Sequence, residues 1–462
     1  MKKYPLLSKT LIIGFLMAIL AIPLEMVSGL IRERTVNRAQ ATTEIARAHA
    51  GAQTLTGPVL HVPYTETFTR TVVVDVDAGK KREETVTVAR VLTVFPKSLD
   101  TRSQLKTETR WRGIFPVTVY TSHHDTAGRW VWPGVSAAEP GGQIKLGQPQ
   151  IIMGVSDLRG LQSAPVLKMG GRVLEVGASP AGQKLSLPLA AALEPSLLTV
   201  GAPLDFTLAL DLAGTEQIAW VPLADDNRIT LASAWPHPSF GGDFLPRERE
   251  VGDAGFKASW SVPSLSTQAQ QQYLTKLRGE GDRLDQLSVS LEDPVDVYRL
   301  SDRATKYGMM FIVLTFAAFF VLEMVKRWRI HPMQYLMIGA ALVLFFLLLL
   351  SLSEHMAFAA AYAIGSAACI GLLSHYLRHV LGGWWAGLGM SGLLVALYGV
   401  LYGILVSEDS ALMMGSLLLF GVLAAIMIAT RKLDWYGVMG TDAPREVASN
   451  SDVHGQRAHT PA

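Results

Sequence analysis

Residues 332–350 read PMQYLMIGAALVLFFLLLL and contain no charged side chain. A hydrocarbon core about 30 Å thick takes roughly 20 apolar residues in a helix that rises 1.5 Å per residue, so this run can cross a membrane. Four further apolar runs surround it, at residues 306–325, 356–374, 384–406 and 411–430. Together they predict a five-helix membrane block over residues 304–432.

The basic residues of this block lie in alternate loops. Lysine or arginine follows the first, third and fifth runs, whereas loops 351–355 and 407–410 contain neither. Short loops rich in lysine and arginine stay in the cytoplasm. We therefore expect the chain to enter the block from outside the cytoplasm and to end inside it. The small, polar and aperiodic sequence of residues 433–462 predicts a disordered cytoplasmic tail.

A further apolar run, residues 11–31, follows a basic segment at residues 1–10, which we expect to be cytoplasmic. A cleaved signal peptide also has a basic start and an apolar centre, but this run is longer than a usual signal core. We favour a retained helix that carries the chain across the membrane.

Residues 32–303 are then predicted to form one large periplasmic domain. After a charged, alanine-rich helix, apolar and polar side chains alternate, which is typical of strands. The alternation is clearest at residues 72–76, 206–212, 229–233 and 256–262, and a last strand is expected at 287–298. The predicted fold class is an α+β membrane protein: six transmembrane helices, one amino-terminal and five carboxy-terminal, with a mainly antiparallel, sandwich-like domain of one or two lobes between helices 1 and 2.

The composition argues against several functional classes. The formal net charge of +2 and the lack of a basic patch interleaved with aromatic residues argue against a nucleic-acid partner. The single cysteine, Cys369, lies in a predicted membrane helix, so the periplasmic domain must be stabilised by its own core.

Motifs that could carry chemistry are incomplete. Gly387, Gly389 and Gly392 have the spacing of a dinucleotide-binding motif but follow no strand. Ser391 could act as a nucleophile only with a base, and the following apolar run, residues 411–430, contains no histidine. The pair His375 and His379, and the triplet HHD at 123–125, lack further metal ligands nearby, and we expect the triplet in a polar loop or strand end. We predict no catalytic, cofactor or metal site, and no enzyme.

Ionisable residues near the membrane are candidate functional groups. They are Glu25, which lies about two-thirds along its apolar run, and Glu323, Glu354 and His355, which lie close to the ends of theirs rather than at mid-depth. A transporter would show charges along a path through the helices. For Glu25, a carboxylate at the outer headgroups and a buried partner of another helix both remain open.

A stiff aromatic loop, residues 235–246, is a candidate contact site on the periplasmic domain. Trp235, His237, Ser239 and Phe240 offer apolar and hydrogen-bonding groups within six residues. The alternative is a rigid turn whose Trp235 and Phe240 fill the core.

Several longer motifs resemble the CreD inner-membrane proteins, also called cell envelope integrity proteins. They run in order along nearly the whole chain: IPL at 22–24, IRER at 31–34, EIA at 44–46, GPVLHVPY at 57–64, SDLRG at 156–160, WPHPSF at 235–240, FLP at 244–246, RATKYG at 303–308, RIHP at 329–332, LSLSEH at 350–355 and DWY at 434–436.

The resemblance implies a multi-pass protein of the Gram-negative inner membrane, linked to envelope stability and to tolerance of β-lactams and colicins. It supplies no catalytic residues. We expect a non-enzymatic role, with the lipid bilayer and other envelope proteins, peptidoglycan or lipids as partners and an unknown oligomeric state. The alternative is a transporter or lipid-handling protein that uses the carboxy-terminal helices.

Overall fold

The computed structural model describes residues 5–75, 80–179, 188–291, 296–326, 330–380, 384–407 and 411–431. The chain divides into two compact units. The helical unit comprises residues 1–35 and 295–462, and the β unit comprises residues 36–294. The predicted tail at 433–462 lies outside the described residues.

Seven α-helices occur in the described part of the chain. They are α1 (Pro5–Ala48), α2 (Ala269–Leu277), α3 (Val297–Lys326), α4 (Pro332–Ser353), α5 (Phe358–Val380), α6 (Trp384–Val406) and α7 (Ala411–Thr430). All except α2 are long and apolar enough to cross a membrane. The predicted number and order of membrane helices, one followed by five, is confirmed.

Two helices extend beyond the predicted apolar runs. The run at 11–31 and the charged segment after it form a single helix, α1. Helix α3 begins at Val297, so residues 297–298, predicted to end the last strand, are helical instead. The Asp296 carboxylate accepts hydrogen bonds from the backbone N–H groups of Tyr298 (3.0 Å) and Arg299 (3.3 Å), which stabilises a helix start at this position.

Helix α1 packs on the bundle through one apolar stripe. Its buried residues follow helical spacing: Ile13, Leu16, Leu20, Leu24, Val27 and Ile31. Two glycines allow the close approach, because a Cβ on Gly308 would lie 3.0 Å from Leu24, and one on Gly339 would overlap Leu20. The opposite face of α1 is exposed and apolar, as a lipid-facing surface should be.

The β unit contains seventeen described strands. They are β1 (Gln53–Asp75), β2 (Lys80–Val94), β3 (Ser98–Arg112), β4 (Phe115–Val131), β5 (Gln143–Leu146), β6 (Gln150–Val155), β7 (Val166–Met169), β8 (Arg172–Leu174), β9 (Val176–Ala178), β10 (Leu189–Ala192), β11 (Pro203–Thr215), β12 (Gln217–Val221), β13 (Asp226–Ser233), β14 (Pro238–Gly242), β15 (Glu248–Gly252), β16 (Gly255–Pro263) and β17 (Leu287–Leu291).

These strands form two mainly antiparallel sheets. The nine-stranded sheet runs β14-β17-β12-β1-β6-β10-β9, and β2 and β5 also pair with β1. The eight-stranded sheet runs β15-β16-β13-β3-β4-β11-β7-β8. The pairs β1–β12 and β3–β13 are parallel. A β-rich domain between the first and second membrane helices is therefore confirmed.

Two large apolar clusters fill the β unit. One contains Trp130 stacked on Phe206, with ring centroids 4.1 Å apart. The other is built around Trp220 and Trp260. A third, smaller cluster holds α2 against the nine-stranded sheet through the buried Tyr273.

Candidate functional site

The predicted contact loop packs on the core of the β unit. Trp235 and Phe240 are half-buried, and the Phe240 ring lies 5.9 Å from the ring of Trp260. The Trp235 indole N–H donates to the carbonyl oxygen of His237 at 3.0 Å. Ser239 lies in edge strand β14 and is half-buried, so His237 is the exposed side chain of the four.

Glu323 is the centre of a buried polar cluster at one end of the helical unit. Its carboxylate pairs with the Lys9 ammonium and accepts a hydrogen bond from the Tyr335 hydroxyl at 3.0 Å. Lys9 also donates to the carbonyl oxygen of Ile330 at 2.8 Å, and the N–H of Ile330 donates to Glu323 at 3.3 Å. The cluster joins α1, α3 and α4.

Glu354 forms the corresponding cluster at the other end. Arg34 lies 3.2 Å from its carboxylate, and the Tyr298 hydroxyl donates to it at 3.3 Å. The Glu354 side chain is only 9% exposed. Its neighbour His355 is exposed at the end of α4.

The two clusters are separated by more than the thickness of a hydrocarbon core. Lys9 and Arg34 are 25 residues apart on α1, which corresponds to about 38 Å of helix, whereas the core is about 30 Å thick. The same spacing separates Tyr298 from Glu323 on α3. Both charge clusters therefore belong at the two membrane surfaces, where they join α1 to the helices that follow the β unit.

Glu25 differs from the other two carboxylates. Its side chain is 70% exposed and lies 3.2 Å from Arg32, which is equally exposed. It therefore faces away from the helix bundle, next to a cation that directly follows the last residue of the apolar stripe, Ile31.

Aromatic side chains fill the middle of the helical unit. The Phe345 ring lies 4.8 Å from Tyr398 and 5.4 Å from Tyr362, and Phe311 lies 4.7 Å from Tyr398. The Tyr362 hydroxyl donates to the Tyr398 carbonyl at 2.7 Å, and the Tyr398 hydroxyl donates to Cys369 at 3.1 Å. These polar groups are satisfied within the bundle, which is what an apolar surrounding requires.

The HHD triplet lies inside strand β4, not in a loop or at a strand end, so that expectation was wrong. Because alternate side chains of a strand face opposite sides, His124 points into the core while His123 and Asp125 point outward. The two ring nitrogens of His124 contact the hydroxyls of Ser103 (2.7 Å) and Ser122 (2.8 Å). Burial lowers the pKa of His124 to about 3, so it is neutral at pH 7.

His123 belongs to an exposed hydrogen-bonded chain. Its ring lies 2.6 Å from Asp211 and 3.3 Å from Asp125, and the hydrogen bond with Asp211 raises the pKa of His123. The Ser163 hydroxyl donates to Asp211 at 2.9 Å. A catalytic serine must instead donate to the imidazole that removes its proton, so this order of groups does not build a hydrolase triad.

The eight-stranded sheet carries a polar trough that the sequence did not reveal. Its volume is about 830 Å³, and we call it the trough. The short side chains of Thr230, Ala232 and Ser259 lie on its central strands β13 and β16. Longer side chains flank them on both sides, including Arg102 on β3 and Glu248 on β15. The depth of the trough follows from this difference in side-chain length.

The comparison with known proteins gives the family. The family model described as Inner membrane protein CreD matches residues 5–436. A relative from Escherichia coli (strain K12), named Inner membrane protein CreD, is 34% identical over 464 residues, covering 98% of this chain and 99% of the relative. The chain belongs to the CreD family. The resemblance of its motifs to CreD proteins is thus confirmed, and the chain is an inner membrane protein.

Solved structures add little to the CreD assignment. Two crystal structures of an M1 zinc metallopeptidase from Deinococcus radiodurans are similar to 43% of this chain and 42% of their own, at 10% identity and a TM-score of 0.20. This likeness carries no argument about fold or activity. Among the described residues of the CreD-family chain, no group of three or more histidine, cysteine, aspartate or glutamate side chains is placed to hold a metal ion.

Proposed function

We propose that this protein is a non-enzymatic component of the inner membrane that contributes to cell envelope integrity and to tolerance of β-lactams and colicins. In this proposal the β unit is periplasmic, both chain termini are cytoplasmic, and the β unit acts by binding other envelope components. These partners are proteins, peptidoglycan or lipids. Membership of the CreD family along residues 5–436 is the observation that carries the proposal.

The form of the two units supports a role in binding. The β unit spans residues 36–294, more than half of the chain, and carries a polar trough of about 830 Å³. In the helical unit, the charged clusters lie at the membrane surfaces, and the middle is filled by the rings around Phe345. A transport path would need polar groups lining that middle region.

The proposed topology rests on charge. Basic residues in alternate loops of the membrane block favour a cytoplasmic carboxyl terminus. A reporter that works only in the cytoplasm should therefore be active when it is fused after Gly437. Activity of a reporter that works solely in the periplasm would overturn this orientation.

The functional test is a deletion strain grown under conditions in which the protein is made. We expect increased sensitivity to detergents and cell-wall inhibitors, and recovery when the wild-type chain is restored. Unchanged sensitivity would contradict the proposal. The second test restores the deletion strain with chains carrying Glu323→Gln or Glu354→Gln. A transporter that uses these carboxylates would lose activity while still reaching the membrane, so full recovery by both variants would argue against transport.

A further inference from the structure

Two rows of side chains cross the exposed face of the eight-stranded sheet and form the trough. The strand register places Glu248, Ser259, Thr230, Arg102 and Asp125 side by side in one row. The next row contains Glu250, Lys257, Ala232, Gln104 and His123. These residues come from five strands, so the surface exists only in the folded sheet.

The cations of the trough form no close ion pairs with carboxylates in the described part of the chain. Arg102 comes no closer than 3.8 Å to Asp100, and Arg228 no closer than 3.9 Å to Asp226. Lys257 forms no ion pair within the described part of the chain. Arg247 and Arg249, which also line the trough, form none there either.

Some other cations of the β unit lie much closer to carboxylates. Five of them approach a carboxylate to 2.6 or 2.7 Å: Lys97, Arg112, Arg129, Arg159 and Arg283. Two acidic residues of the trough are engaged, since Asp125 lies 3.3 Å from His123 and Glu248 accepts a hydrogen bond from Ser259 at 3.5 Å. The trough therefore presents positive charge that is available to an anionic ligand.

The positions of the cations suit an extended ligand. From the register, the Cα atom of Arg102 lies about 8 Å from that of Arg228 and about 12 Å from that of Lys257, using strands about 4.8 Å apart and about 3.3 Å per residue. Side chains two and four residues apart in an extended peptide are about 6.6 and 13 Å apart, so acidic groups at such positions can meet these cations. A glycan would be expected to stack on exposed aromatic rings, but Trp260, the aromatic residue of the trough lining, is only 1% exposed.

We propose that the trough binds an extended acidic peptide segment of a partner protein, held by Arg102, Arg228 and Lys257. The inference rests on the proposed function, because it names the partner class for the envelope contact made by the β unit. Glu248 and Glu250 line the trough on β15 and repel acidic groups there, so the acidic side chains of the bound segment lie towards Arg102 and Arg228.

The test uses the full-length protein in lipid nanodiscs and a fluorescent peptide of alternating glutamate and serine. The peptide has about eight residues, roughly 26 Å when extended, which is long enough to cross the trough. Fluorescence anisotropy should show binding that weakens as salt rises from about 50 to about 500 mM. A matched peptide with glutamine in place of glutamate should bind at least about tenfold more weakly, because it lacks the charges that the cations attract.

Two double variants with the same change in charge distinguish binding at the trough from non-specific attraction of the acidic peptide to the protein surface. Arg102→Gln with Lys257→Gln should weaken binding about tenfold, since each exposed pair contributes up to about a factor of five. Lys145→Gln with Lys168→Gln changes exposed lysines outside the trough and should leave binding unchanged. Circular dichroism of both double variants should match the wild type.

Several results would overturn the inference. These are an absence of peptide binding, equal losses in the two double variants, equal binding of the glutamine peptide, or competition by inorganic phosphate as strong as that by the peptide. Binding of an acidic oligosaccharide but not of the peptide would also overturn it. The sensitivity of the deletion strain is measured separately, so failure here leaves the envelope role intact.

Discussion

Breaking the Lys9–Glu323 pair should loosen the attachment of α1 to the rest of the helical unit. The two side chains are 21% and 11% exposed, and Glu323 also accepts hydrogen bonds from Tyr335 and the N–H of Ile330. In Lys9→Gln the carboxylate keeps those two donors but loses its cation. In Glu323→Gln the lysine keeps the Ile330 carbonyl and can extend towards water. We therefore expect Lys9→Gln to be the more damaging change.

The expected magnitude follows from burial. Removing one partner of a fully buried ion pair costs about 3–5 kcal/mol. Partial exposure at a membrane surface reduces this, and we expect a loss of about 1–3 kcal/mol for Lys9→Gln. For a unit of this size, that corresponds to a midpoint of thermal unfolding about 3–10 °C lower in the same nanodisc.

The exposed pair Glu25–Arg32 on the same helix is the matched control. Both of its side chains are about 70% exposed, so Glu25→Gln should change stability by less than about 0.5 kcal/mol. Thermal unfolding of the purified chain in nanodiscs measures all variants under one condition. If Lys9→Gln unfolded within about 1 °C of the Glu25→Gln control, our reading of the Glu323 cluster would be refuted.

Three further predictions concern the β unit. Burial lowers the pKa of His61 to about 4 and that of His124 to about 3, whereas a histidine in the unfolded chain binds its proton near pH 6.5. The free energy of unfolding should therefore fall by roughly 1.4 kcal/mol per pH unit for each histidine as the pH drops from about 6.5 to about 4. A free energy of unfolding in urea that does not change over that pH range would contradict this. The hydrogen bond from Arg159 lowers the pKa of Asp157 to about 2, so Asp157→Asn should lose about 2 kcal/mol at pH 7 and should remove the loss of stability that the wild type shows between about pH 4 and pH 2. Gly128→Ala would place a Cβ that overlaps the Phe206 ring and lies 2.8 Å from the Ser98 carbonyl oxygen, so it should cost at least about 2 kcal/mol in denaturant titrations. Gly177→Ala, which meets no atom within 4 Å, should be nearly neutral.

Local pattern was sufficient to predict most elements. The alternation of apolar residues at 206–212 gives β11, and its inward side chains Phe206, Leu208, Leu210 and Leu212 are all buried. The five carboxy-terminal apolar runs correspond to α3–α7. The ends of the elements were less predictable. Helix α3 begins at Val297 because the Asp296 carboxylate caps it, and apolar periodicity does not indicate such a cap.

The candidate sites depend on contacts between distant parts of the chain. The cation that pairs with Glu323 is Lys9, 314 residues earlier, and no local spacing indicates such a pair. The trough combines Arg102, Arg228 and Lys257 through the register of β3, β13 and β16. Alternating charge at the exposed positions of these strands was visible in the sequence, but the order of the strands was not. For Trp235 and Phe240 the sequence left both alternatives open, and packing places their rings against the core.

Photocrosslinking in living cells tests most directly whether this protein acts by contact through the β unit. A photoreactive residue at Gln104, in the lining of the trough, should capture a discrete protein, and the yield of this adduct should fall about tenfold when Arg102→Gln and Lys257→Gln are both added. The same residue at Ser239 in the packed loop should capture nothing discrete. A discrete adduct from Ser239 alone, or only self-adducts from both positions, would contradict the account and would shift attention to the helical unit.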